Sequence, residues 1–150
     1  MKKIVAFLLM SLLAGQAFAG AGHGKQESVV GMPGHADEVT RTINVTLNDL
    51  MRFTPDNINV KKGETVRLVI TNKGQLKHEL VIGETQALLK HAKMMRSMPD
   101  MQHTSPNTAS LEPGKQGAII WTFDKAGSVD FACLIPGHWE AGMKGAFSVN

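Results

Sequence analysis

The chain of 150 residues has a single cysteine, Cys133, and no tyrosine. One cysteine cannot form an intrachain disulfide, so the fold must be held together without one. The chain also lacks a large excess of either charge, since it has 16 Lys and Arg against 13 Asp and Glu. This weak balance argues against a nucleic-acid partner. We find no glycine-rich phosphate loop and no paired-glycine dinucleotide motif, which argues against nucleotide-dependent enzymes.

The only long apolar run lies at the N-terminus. Lys2 and Lys3 precede the apolar residues 4–13, and Ala17-Phe18-Ala19 supplies a small-x-small cleavage pattern. This arrangement is typical of a secretory signal peptide, and the run is too short to span a bilayer. We therefore predict a signal peptide over 1–19, export to the periplasm, and no membrane insertion after cleavage.

The rest of the chain divides into two parts. Residues 20–40 are rich in glycine and polar residues without a sustained period, which predicts a flexible arm. From residue 41 onward, short runs of alternating apolar and polar residues are separated by turn signals. The clearest runs are 43–47, 66–70, 118–123 and 129–133. They predict one all-β domain over 41–150, an antiparallel sandwich.

One segment, about 84–110, breaks this pattern and predicts an inserted helix. Leu88, Ala92, Met95 and Met98 recur at helical spacing, and Pro99 should end the helix. The segment is also rich in thioethers and imidazoles: His91, Met94, Met95, Met98, Met101 and His103. Thioethers favour Cu(I), so a second, labile Cu(I) site is one interpretation, and simple helix packing is the other. His23, Met32 and His35 in the arm leave the same choice between copper binding and a solvated tail.

The stretch FACLIPGHWEAGM gathers three potential metal ligands. Cys133, His138 and Met143 follow one another at intervals of five residues. A thiolate, two imidazoles and a weak thioether form the ligand set of a blue copper site. His78, which follows a turn and opens the apolar run HELVIG, is the best candidate for the second histidine. A buried thiol, a Cys–His nucleophile and a zinc site are the alternatives, but the nucleophile leaves Met143 unexplained.

These residues resemble the cupredoxins, the type 1 blue copper proteins, over roughly residues 50–150. The loop spacing is similar to that of the azurin and auracyanin type. The resemblance implies a Greek-key β-sandwich with one copper near one end, held by His78, Cys133 and His138 in a plane and by Met143 axially. It also implies that a redox partner docks on an apolar patch around His138. Some families place an asparagine after the first histidine, where this chain has Glu79.

Two functions follow from this resemblance. The first is a monomeric, exported electron carrier that uses the Cu(I)/Cu(II) couple. The alternative is a periplasmic copper-tolerance protein that sequesters or transfers copper with its additional Met and His residues. A full set of four protein ligands leaves no open position for a substrate, so we do not expect an enzyme.

Overall fold

The computed structural model describes residues 30–98 and 105–150, which form a two-layer β-sandwich with one α-helix. The predicted signal peptide, most of the arm, Met101 and His103 lie outside the described residues. The strands are β1 (Met32–Pro33), β2 (Arg41–Asn48), β3 (Arg52–Thr54), β4 (Asn57–Val60), β5 (Glu64–Asn72), β6 (His78–Gly83), β7 (Thr108–Leu111), β8 (Gln116–Phe123), β9 (Gly127–Ala132) and β10 (Lys144–Val149). The helix α1 spans Thr85–Ser97, and a short 3-10 helix spans Ala36–Glu38.

The strands form two five-stranded sheets, in the orders β1-β8-β5-β2-β3 and β4-β10-β9-β6-β7. The all-β sandwich is therefore confirmed, but its fully antiparallel character is wrong. β5 pairs with β2 in parallel, and so does β10 with β4. After β3 the chain crosses to the second sheet as β4 and returns as β5, which brings β5 beside β2 in the same direction. Alternating hydrophobicity reports which face of a strand is buried, not its direction.

The core lies between the sheets and is built from the inward-facing residues of the alternating runs. Phe131 is central to it: its ring lies 5.1 Å from that of Phe53 and 4.9 Å from that of Phe147. Phe123 continues the cluster, 4.7 Å from Phe147. Such tilted and edge-on contacts are the favoured aromatic geometries.

The described part of the predicted arm packs against the sandwich. Val30 is buried, and its carbonyl oxygen accepts a hydrogen bond of 2.8 Å from Trp121 Nε1. β1 then pairs with β8, with Met32 opposite Thr122. Gly31 has a φ of 94°, and a Cβ there would collide with the carbonyl oxygen of Thr122. Residues 30–33 thus form an edge of the first sheet, which corrects the flexible arm assigned to 20–40 over this part.

The inserted helix is confirmed as α1, but the insertion is shorter than predicted. Leu88 and Ala92 are buried against a small cluster on the outer face of the second sheet, whereas Met98 is 40% exposed. The predicted packing stripe therefore ends before Met98. Thr108–Leu111, which the prediction placed in the insertion, forms β7 and pairs with β6. The sequence did not show this strand, because a run of four residues is too short to reveal its period. No helix among the described residues is long and apolar enough to cross a membrane.

We expect Trp121→Phe to lower the free energy of unfolding by about 1–3 kcal/mol, because the buried carbonyl of Val30 loses its donor. Chemical denaturation of the purified metal-free protein measures this change. In a chain that begins at Gly34 the same substitution should cost less, because only the loss of buried indole volume remains. An equal loss in both backgrounds would contradict the packing of residue 30 on Trp121.

Candidate metal centre

The pairing of β6 with β9 brings two predicted ligands together. His78 opens β6, and Cys133 immediately follows β9. The strands run antiparallel, with Val81 opposite Ala132 and Ile82 opposite Phe131. Because side chains alternate along a strand, Cys133 lies on the same core-facing side as Phe131. Both His78 and Cys133 are wholly buried.

The loop from 133 to 143 folds back on itself through backbone hydrogen bonds. The N–H of Cys133 donates to the carbonyl of Met143 at 3.1 Å, and the N–H of Met143 donates to that of His138 at 3.0 Å. The N–H of His138 in turn donates to Ile135 at 3.0 Å. The turn around Gly137, with a φ of 89°, needs the conformational freedom of glycine. These bonds hold the three loop ligands in register without a metal.

Arg52, on β3, fastens this loop to the first sheet. Its Nη1 donates to the carbonyl oxygens of Met51 and Ala141, at 2.8 and 2.9 Å. Gly142 allows this approach, because a Cβ there would lie 2.8 Å from the same nitrogen. Sequence reasoning missed Arg52, since a lone arginine in a short strand carries no signal of a partner 89 residues away.

Three predicted ligands converge at one point. One donor atom each from His78, Cys133 and His138 lies within 4.8 Å of the others. The sulfur of Cys133 is 3.3 Å from Nδ1 of His138, and the two imidazole rings are 5.0 Å apart. Met143 is wholly buried and belongs to the same core cluster as Cys133. The structure therefore gathers a thiol and two imidazoles from distant parts of the chain.

The two nitrogens of His78 have different environments. Nε2 lies 2.9 Å from Oδ1 of Asp49, while Nδ1 is buried without a hydrogen-bond partner. A carboxylate oxygen can only accept, so Nε2 carries the proton and Nδ1 presents a lone pair. A buried polar atom without a partner is costly, and a metal ion would satisfy it. The donor set and this orphaned nitrogen both fit copper.

Burial sets the protonation of the two loop ligands. Burial raises the pKa of the Cys133 thiol to about 12, although hydrogen bonds from the backbone of Glu79 and Ile135 oppose this rise. Burial also lowers the pKa of His138, although the nearby carboxylate of Asp49 opposes this change. The metal-free site therefore holds a neutral thiol beside a neutral imidazole at neutral pH.

Two carboxylates, whose contacts the sequence did not predict, adjoin this centre. Besides His78, Asp49 accepts the backbone N–H groups of Gln75 and Leu76, and the bond from Gln75 is the main cause of its lowered pKa. Glu79 accepts the N–H of Leu134 at 3.0 Å. In the sequence Asp49 reads only as a turn residue, and Glu79 only as the neighbour of His78.

Together, a β-sandwich and a Cys–His–His cluster in which Cys133 and His78 are buried define a copper-binding protein of the cupredoxin class. Residues 39–150 match the family model described as copper binding proteins of the plastocyanin/azurin family, and the chain belongs to this family. Copper is accordingly its cofactor. This confirms the cofactor and the family expected from the ligand loop.

Characterised relatives and solved structures are similar to this chain over most of its length. The copper-resistant cuproprotein CopI of Rubrivivax gelatinosus is 50% identical over 136 residues, which cover 91% of this chain and 82% of that protein. CopI of Pseudomonas aeruginosa is 36% identical, covering 93% and 91%. The reduced auracyanin of Roseiflexus castenholzii has the same fold, with a TM-score of 0.64, 22% identity, and coverage of 75% and 98%.

We expect Cys133 in the folded, metal-free protein to resist alkylation up to about pH 9, because the thiol is buried and its pKa lies far above the ordinary value of about 8.5. Its ionisation opposes folding. The stability of the metal-free protein should therefore fall as the pH rises from about 8.5 towards 12. Mass spectrometry after timed exposure to iodoacetamide measures the labelling. The unfolded chain, labelled once, is the control, and rapid labelling of the folded protein would contradict this burial.

Proposed function

We propose that the protein is an exported cupredoxin that protects the cell from copper, and that it binds one copper ion through His78, Cys133, His138 and Met143. The observation that carries the site is the orphaned Nδ1 of His78, buried beside the thiol of Cys133 and the imidazole of His138. Bound copper supplies a one-electron Cu(I)/Cu(II) couple. Two imidazoles and a thiolate with a weak thioether are the ligands of a type 1 site.

Met143 suits the axial role for a positional reason. Its backbone is hydrogen-bonded to both Cys133 and His138, and its side chain is wholly buried. A weak, long axial bond tolerates both oxidation states of the metal. With four protein ligands and three of them fully buried, no position remains for a substrate, and we propose a binding protein rather than an enzyme.

The protective role is supported by the relatives and by α1. Both CopI proteins are named for copper resistance, and one is identical to this chain at half of the aligned positions. α1 and the residue that caps its C-terminus add four soft or borderline donors: His91, Met94 and Met95 in the helix, and Met98 at the cap. The spacings of three and four residues place the side chains of Met94 and Met95 beside that of His91 on the helix. A thioether face of this kind suits Cu(I).

The exposure of two of these side chains favours metal capture over packing. Met94 and Met98 are 37% and 40% exposed, whereas Leu88 and Ala92 on the neighbouring stripe are buried. α1 also lies beside the ligand loop, because Arg96 forms a 2.8 Å ion pair with Glu140. We therefore propose that this Met face, defined as His91, Met94, Met95 and Met98, holds a second, labile Cu(I) near the first site.

Electron transfer is the second candidate function. His138 is only half buried, so its ring offers a path between the copper and the surface. On this hypothesis a redox partner docks near His138, with Pro136 and Trp139 in the contact patch. In either role we propose a monomer in the periplasm that binds no nucleic acid.

We expect Cys133→Ser to abolish the intense visible charge-transfer band of the Cu(II) protein, because that band arises from the thiolate. The sandwich should remain folded by circular dichroism, since serine is close to cysteine in size. Met143→Leu is the matched control, and it should keep the band because the axial bond is weak. A band that survives in Cys133→Ser would contradict the ligand assignment.

We expect Met94→Leu/Met98→Leu to remove a second equivalent of bound Cu(I), because leucine keeps the apolar bulk and helix propensity without the sulfur donor. Competition with a chromophoric Cu(I) chelator measures the stoichiometry, and copper tolerance of cells that carry only the variant should fall. Leu89→Ala, which changes an exposed residue of the same helix without removing a sulfur donor, is the control. A full second equivalent in the double variant would contradict the Met face.

A strain that lacks the gene separates the two functions. Copper sensitivity with normal respiration supports protection, whereas a respiratory defect without copper sensitivity supports the electron carrier and contradicts the protective role.

A further inference from the structure

Two carboxylates, one from each sheet, are hydrogen-bonded beside the ligands of the metal centre. Asp49 follows β2 in the first sheet, and Glu79 lies on β6 in the second. Each is fastened by hydrogen bonds from the backbone, which fixes its charge relative to the ligands.

Asp49 acts on the imidazole of His78. Oδ1 lies 2.9 Å from Nε2, while the backbone of Gln75 and Leu76 holds the carboxylate in place, with the N–H of Gln75 2.7 Å from Oδ2. A carboxylate that accepts from a ligating histidine fixes its tautomer and makes the other nitrogen a stronger donor. The nitrogen strengthened here is Nδ1, the orphaned atom that faces the site.

Glu79 acts on the thiolate strand. It directly follows His78 in the chain, and its Oε1 accepts the N–H of Leu134, the residue directly after Cys133. One carboxylate thus bridges the backbones that carry two of the ligands. Glu79 is half buried, so water screens its charge less than that of a fully exposed side chain.

We propose that Asp49 and Glu79 are positioning residues that bias the bound copper towards Cu(II), an inference that rests on the proposed copper site. The extra positive charge of Cu(II) interacts more favourably with nearby negative charge than that of Cu(I) does. The two carboxylates therefore hold the reduction potential below the value that the same four ligands would give with neutral neighbours. A centre of this kind retains oxidised copper more strongly than reduced copper.

The test is the reduction potential of the copper-loaded full-length protein, measured by redox titration with mediators and followed by the visible band. Glu79→Gln is the first variant, because glutamine keeps an oxygen acceptor for Leu134 and removes the charge. We expect the ratio of Cu(I) to Cu(II) affinity to rise about tenfold, a positive shift of about 59 mV for a one-electron couple. Asp49→Asn should shift the potential in the same direction, and the double variant further than either single one.

Asp37→Asn is the matched control. It removes one exposed carboxylate from the 3-10 helix. The chain just after this helix is hydrogen-bonded near the start of β5, through Thr40 and Thr65. The metal centre lies towards the other end of β5, where Asn72 donates to Leu76 in the turn before His78. Its potential should equal that of the wild type. Potentials of Glu79→Gln and Asp49→Asn that match this control, or that fall below it, would overturn the inference. Wild-type protein with no visible band would instead overturn the copper site itself.

Discussion

The antiparallel pairing of β6 with β9 is the constraint on which the centre depends. It places His78, on one strand, beside Cys133 at the end of the other. The residues that follow them, Glu79 and Leu134, are hydrogen-bonded to each other across a separation of 55 positions. The core-facing sides of both strands continue into the aromatic cluster around Phe131. A slip of one residue in this register would turn Cys133 away from the core. The hydrophobic packing that specifies the register therefore also specifies the ligand geometry.

The outer face of the same strands explains why α1 lies near the centre. Alternation sends Ala132 and Leu134 away from the core, where they would be exposed on an uncovered sheet. α1 covers them with Leu88 and Ala92, and the partly buried Trp139 of the ligand loop joins this cluster. The insertion is thus both a cover for apolar surface and a scaffold beside the ligand loop. Because Met94 and Met98 remain exposed, the helix keeps donors free of that structural role.

Much of the centre could be predicted because its signals are local. Cys133, His138 and Met143 lie in one loop with a recognisable spacing, and few other histidines compete with His78. The parts that escaped prediction depend on contacts across long sequence separations. Asp49 reaches His78 across 29 residues, and Trp121 reaches Val30 across 91. Strand direction escaped for a different reason, since the alternation that marks β2 and β5 is identical for parallel and antiparallel neighbours.

Hydrogen bonds within the protein organise the loop that carries three of the proposed ligands. Backbone bonds link Cys133, His138 and Met143, and Arg52 ties the loop to β3. Because burial raises the pKa of the Cys133 thiol to about 12, binding of a metal ion to its sulfur would release a proton. His78, Cys133 and Met143 are wholly buried, whereas His138 is only partly so. Of the four proposed ligands, His138 is therefore the one closest to the surface, and α1 lies beside the loop that carries it.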